Sequence, residues 1–184
     1  MFANSTEALI YKLERLDDVK LPDIQIVEIT KLADKRSWLN KFINAYTGGK
    51  EGIVSNEGLN VTRCFVAIHN GKEVGYIRIA NYTPTLSKHG ATGEVWAITE
   101  GYIKPPYRSK GALRQLIKHA VDNCNAKLFR IQTYRLMENF AYYFSLGFTY
   151  SYRVGDSDMS VVSLGELRHV LENYCAARIA EASS

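Results

Sequence analysis

Two periods of hydrophobic residues alternate along this chain. Leu113, Leu116, Ile117, Ala120, Val121 and Cys124 recur at the offsets of one helical face, so an amphipathic helix is expected directly after Gly111. Trp38, Leu39, Phe42, Ile43 and Tyr46 repeat the pattern after Thr30. Leu9, Leu13 and Leu16 do so behind Ser5-Thr6-Glu7, which can cap a short helix that ends before Pro22. A capping box, Ser163-x-x-Glu166, opens a last helix with Leu167, Val170, Leu171, Tyr174 and Ile179 along one side. Period-two alternation marks strands over 24–29, 64–68, 74–79, 94–103 and 128–133, and a hairpin over 149–154 and 159–164. Asn70-Gly71 between two of these strands is a strong two-residue hairpin signal, because both positions of the turn need positive φ. The Gly-rich stretch 46–58, with Gly48, Gly49, Gly52 and Gly58, reads as a mobile substrate-side connection, and 83–93 as a loop.

This order predicts a mixed α/β (α+β) domain built around one sheet. A right-handed crossover joins parallel strands after Gly111, and the hairpins supply antiparallel pairs. At 184 residues the chain is long enough for one well-buried domain and short for two, which predicts a single domain over 1–184 with an N-terminal helical extension, 1–22, and a C-terminal helix over about 164–182.

Composition narrows the function classes only modestly. Hydrophobic residues make up 46% and charged residues 23%, and the net charge of +4 suits an anionic ligand without pointing to nucleic acid. Cys64, Cys124 and Cys175 are far apart and set in apolar patterns, so neither a disulfide framework nor a metal pair is suggested. His69, His89, His119 and His169 do not cluster at ligand spacing, and no metal is expected. The first residues lack the basic start and apolar run of a leader, and no apolar stretch approaches membrane-spanning length; a reducing cytoplasm and no membrane contact are the expectation.

The candidate chemistry begins at Tyr102-Ile103-Lys104-Pro105-Pro106-Tyr107-Arg108-Ser109-Lys110-Gly111-Ala112-Leu113. A strand here meets two prolines, a basic turn and a glycine before the helix starts. The first turn of that helix aims N–H groups back into the loop, and its dipole favours an anion. Arg108 and Lys110 add positive charge, and Gly111 lets a ligand approach the backbone. Neither a Walker loop nor a dinucleotide fingerprint fits the spacing.

Ile103, Pro105, Arg108 and Gly111, followed downstream by Tyr143 four residues before Gly147-Phe148, resemble the two central motifs of the GNAT superfamily of N-acetyltransferases. The resemblance spans roughly residues 24–164. It implies a GNAT-like, mostly antiparallel central sheet flanked by helices, and acetyl-CoA as cosubstrate bound by Ile103, Arg108, Ser109, Lys110, Gly111, Ala112, Leu113 and Asn139. It also implies direct acetyl transfer to a primary amine on a small molecule, a protein or an aminoacyl-tRNA. Leu113 departs from the pattern, which has a small residue there; its place in the apolar stripe predicts that it packs inward.

Within that frame Tyr143 is the expected proton donor to the departing thiolate, since a phenol is neutral at pH 7 and donates without an altered pKa. Glu100 is the expected base; Glu94 shares its strand face, and a bulge at Gly101 is what would aim Glu100 inward. No His or Cys constellation suggests a covalent intermediate. The alternative is a GNAT-fold binding or regulatory module without turnover. The terminal helices carry apolar faces that a homodimer could cover.

Overall fold

A computed structural model of the chain describes residues 23–46, 54–90, 93–124, 128–134, 150–153 and 159–163, with single positions elsewhere. In chain order the elements are β1 (Gln25–Ile29), α1 (Leu32–Tyr46), α2 (Asn56–Asn60), β2 (Arg63–His69), β3 (Lys72–Asn81), α3 (Thr83–Leu86), β4 (Val95–Ile103), α4 (Ala112–Asp122), β5 (Leu128–Tyr134), β6 (Tyr150–Arg153) and β7 (Met159–Ser163). Single 3₁₀ turns lie at Ser87–His89 and Pro105–Tyr107. The chain sorts into two compact units, one of Leu16–Ala80 with Glu100–Asn123, the other of Met1–Arg15, Asn81–Thr99 and Cys124–Ser184.

In the first unit β1, β2 and β3 form an antiparallel meander. Asn70 and Gly71 take φ of 50° and 73°, the primed turn their identities favour. The second half of β4 borders β3, and the Lys104 amide donates to the Val74 carbonyl at 2.9 Å. Successive strand residues face opposite ways, so Cys64, Val66 and Tyr76 share one face. Trp38 of α1 packs there, with Ile29, Phe42, Ile68 and Tyr102 around it. Phe65 points to the other face, where its ring meets His119 of α4 edge-on at 5.3 Å.

In the second unit the first half of β4 pairs with β5 in parallel, Val95 to Ile98 against Leu128 to Ile131. β5 pairs antiparallel with β7, and β7 with β6. Arg130 of β5 is buried with its guanidinium 4.0 Å from the Tyr82 ring. With one parallel pair among antiparallel ones and helices beside them, the sheet is the mixed, mostly antiparallel kind the order of elements implies.

Three expectations need correction. The connection 46–58 is not loop throughout: Asn56–Asn60 is helical, Ser55 accepts from the Gly58 amide, and Leu59 is buried. Cations of α1 hold this segment. Lys35, buried, donates to the carbonyls of Asn60 (3.1 Å) and Thr62 (2.6 Å), and Arg36 donates to Val54 O and Asn56 Oδ1. The loop 83–93 likewise contains a helical turn, started by Pro84 in its first turn, where the missing N–H costs nothing. Leu113 is only half-buried, while Ala112, Arg114, Leu116, Ile117, Ala120 and Val121 are buried. With Ala112 and Arg114 of the same turn buried on either side of it, Leu113 lies at the edge of the covered face and not at its centre.

Of the N-terminal helix, Leu9 and Leu13 are described, both helical and buried. Most of the C-terminal helix lies outside the described residues.

Candidate active site

β4 delivers the chain into the cradle. Its end is tied to β3 by the Lys104 amide, and Gly75 of β3 sits so close that a Cβ there would meet Ile103 Cδ1 and, at 2.9 Å, the Tyr102 carbonyl oxygen. The backbone then makes one 3₁₀ turn over Pro105–Tyr107, extends at Arg108, and turns left-handed at Ser109 (φ 61°) and Gly111 (φ 86°) before α4 begins. A left-handed serine costs of order 1 kcal/mol or more, which makes it a strained position of the kind found at ligand clamps.

No side chain caps α4 at Gly111, and the first intrahelical bond runs from Gln115 N–H to the Gly111 carbonyl. Amides of the first turn therefore lack intrahelical acceptors and carry the positive end of the helix dipole. The basic side chains brace the turn: Arg108 Nε donates to the Ile103 carbonyl at 2.8 Å, and Lys110 Nζ to the Pro106 carbonyl at 3.3 Å. The Arg108 guanidinium lies 5.5 Å from the Tyr102 ring centroid. Ile103, Arg108, Ser109, Lys110, Gly111, Ala112 and Leu113 are thus brought together on one strand-turn-helix junction, whose donor set fits the phosphates of a nucleotide-bearing coenzyme. Asn139, Tyr143 and the Gly147-Phe148 pair lie outside the described residues.

Glu100 is buried on β4. Its carboxylate is not idle. Arg78 of β3 grips it bidentately, Nε on Oε1 and a terminal nitrogen on Oε2 at 2.8 Å, and the Tyr76 hydroxyl donates to Oε1 at 2.8 Å. A carboxylate offers about four acceptor positions, so one on Oε2 remains beyond these three bonds. Burial and the neighbouring Glu100 charge push the Tyr76 phenol well above its ordinary pKa and keep it a donor. Burial opposes the Arg78 charge, but the Glu100 hydrogen bond and charge outweigh it and raise the Arg78 pKa. Glu94 instead accepts from the Trp96 indole at 3.2 Å.

The partner of Glu100 stands 22 residues away and gave no local signal. Lys35 was equally invisible, a buried cation on a helix whose visible feature was its apolar stripe. Among the described residues no group of three or more His, Cys, Asp and Glu side chains could hold a metal, and no helix is long and apolar enough to cross a membrane.

A mostly antiparallel sheet whose β4 feeds an uncapped, basic helix start defines an α+β domain. The sequence carries the same assignment: residues 60–150 match the family model described as an acetyltransferase (GNAT) domain. The chain belongs to the GNAT superfamily. Similar solved structures include the PaiA N-acetyltransferase of Thermoplasma acidophilum in complex with coenzyme A, with 14% identity, a TM-score of 0.56, and coverage of 77% of this chain and 98% of that one. An aminoglycoside acetyltransferase from an uncultured soil metagenomic sample, in complex with sisomicin, is 14% identical with a TM-score of 0.55 over 72% of this chain and 92% of that one. Arabidopsis thaliana NAA60 with a bisubstrate analogue is 10% identical, with a TM-score of 0.52 over 76% and 96%. No curated protein matches the sequence significantly.

Proposed function

We propose that this protein is an N-acetyltransferase that moves an acetyl group from acetyl-CoA directly to a primary amine, in a cytoplasmic setting. The observation that carries the reading is the cradle itself, where Ser109 and Gly111 turn the backbone so that an uncapped helix start meets Arg108 and Lys110. The first-turn amides of α4 and these two cations would hold the coenzyme pyrophosphate, with Asn139 beside the coenzyme arm. When bound, the coenzyme supplies an acetyl thioester.

The remaining chemistry belongs to side chains of this protein. Tyr143 donates the proton that the departing sulfur needs. Glu100 orients the acceptor amine, or a water that takes its proton, through the open position on Oε2. It acts as a relay, held in place by Arg78 and the Tyr76 hydroxyl.

Thermal melting with acetyl-CoA tests the first half of this reading. A ligand at 100 times its Kd adds about 2.7 kcal/mol of stability if it binds only the folded state. Free-thiol release with a panel of amines tests the second half, and Tyr143→Phe should lower it ~10²- to 10⁴-fold while leaving the coenzyme stabilisation in place. Absence of any stabilisation by acetyl-CoA would overturn the assignment.

A further inference from the structure

We infer that the acceptor is an amine that also bears an anionic group, read by Lys41 and Lys104; this rests on the acetyltransferase reading above. Both ammonium groups converge on one indole, Lys41 Nζ at 4.3 Å and Lys104 Nζ at 5.5 Å from the Trp38 ring centroid. Those distances place the two charges within about one Debye length of each other, so they repel. Both side chains are half-buried. Among the described residues the ion pairs are Arg63–Glu28, Arg78–Glu100 and Lys118–Asp122, and neither lysine takes part in one. Lys41 Nζ also donates to the Ser37 hydroxyl, at 3.4 Å.

Among the described residues no carboxylate is paired with either lysine. Trp38 stacks on Tyr76 at 5.4 Å and lies 6.4 Å from Tyr102, and the carboxylate reached through these rings, Glu100, is neutralised by Arg78. A polycationic amine would meet two uncompensated like charges and a spent carboxylate. A carboxylate or phosphate on the acceptor would instead relieve the repulsion between the lysines, while its amine reaches toward Oε2. Lys104 stands immediately before the 3₁₀ turn that leads to Arg108 and Gly111.

The test compares matched primary amines with the full-length protein at saturating acetyl-CoA. C-terminally amidated glutamyl, glutaminyl and lysyl dipeptides differ in side-chain charge at nearly constant size, phosphoethanolamine supplies a phosphate in place of a carboxylate, and sisomicin supplies a polycation. Thiol release should follow the order anionic, neutral, cationic, with kcat/KM at least 10-fold higher for the anionic than the neutral amine. Preference for one of the two anionic arms identifies the group read. In Lys41→Gln and Lys104→Gln the KM for the anionic amine should rise about 10-fold, kcat should change little, and added salt should weaken the wild-type preference more than the variants'.

Equal rates for the three dipeptides, or a preference for the cationic amines, would overturn the inference and leave the acetyltransferase reading standing. So would a loss of coenzyme stabilisation in either lysine variant matching the loss of acceptor affinity, because the lysines would then serve the coenzyme phosphates. If no amine releases thiol although the coenzyme stabilises the protein, the order in which the amines add stability to the coenzyme complex decides. No stabilisation by coenzyme at all sinks the parent reading and this one with it.

Discussion

Glu100→Gln is the most searching perturbation of the site. It keeps the shape of the side chain and removes the charge, leaving the buried Arg78 guanidinium facing a neutral amide. Breaking a buried ion pair from one side costs about 3–5 kcal/mol, because the remaining charge has lost its counter-ion and cannot reach water. For a domain of this size 1 kcal/mol shifts the melting temperature by about 2–4 °C, so the midpoint should fall by roughly 6–20 °C. The paired variant Arg78→Met with Glu100→Leu, made in a Tyr76→Phe background so that no buried hydroxyl is orphaned, should recover most of that loss, since replacing all partners by apolar groups is often neutral. Melting curves of Arg78→Met, Glu100→Leu and the pair, all in that background, give the coupling between the residues. If Glu100→Gln melts within about 1 kcal/mol of the unaltered protein, the pair behaves as an exposed one and the buried network described here is wrong. The double variant also separates chemistry from folding: folded and still stabilised by coenzyme, it should lose turnover if the carboxylate handles the proton of the acceptor.

Gly111→Glu should abolish coenzyme stabilisation in a folded protein, because the new side chain is strained at φ 86° and sets a negative charge at the cradle; retained stabilisation in melting assays would refute the site. Lys35→Met keeps the aliphatic stem and removes an ammonium that satisfies two carbonyls, so a loss of about 2–4 kcal/mol is expected, with faster amide exchange around Leu59; an unchanged melt would refute the bracing role. Burial pushes the Cys64 thiol up to about 11. The stability this contributes is complete below the unfolded pKa and is lost as pH rises from about 9 toward 11. Denaturant titrations should show that decline and Cys64→Ala should flatten it, while alkylation at pH 8 should spare Cys64 in the native protein.

Features written in local spacing were legible in the sequence. The Asn70-Gly71 turn, the helix after Gly111 and the parallel return to β5 each depend on residues a few positions apart, and each stands in the structure. What escaped depends on distant partners. Glu100 could be placed on a strand but not beside Arg78, which stands 22 residues away. The stretch 46–58 looked like pure linker because its glycines are local, whereas the cations that hold its second half sit on another helix. Leu113 fits the helical stripe by angle, yet a period carries no information about where around the helix the covering layer ends.

The approach to the cradle carries two consecutive prolines, Pro105 and Pro106, inside a single 3₁₀ turn that Arg108 and Lys110 stitch back to the Ile103 and Pro106 carbonyls. Proline narrows the unfolded ensemble, so much of the conformational entropy of this loop is surrendered before any ligand arrives. A phosphate group entering such a turn has little chain left to order, and its binding should retain more of the gross interaction energy than a floppy glycine loop could offer. Association then has the kinetics of docking onto a preformed surface: the observed rate should rise linearly with coenzyme concentration and show no plateau from a slow closing step.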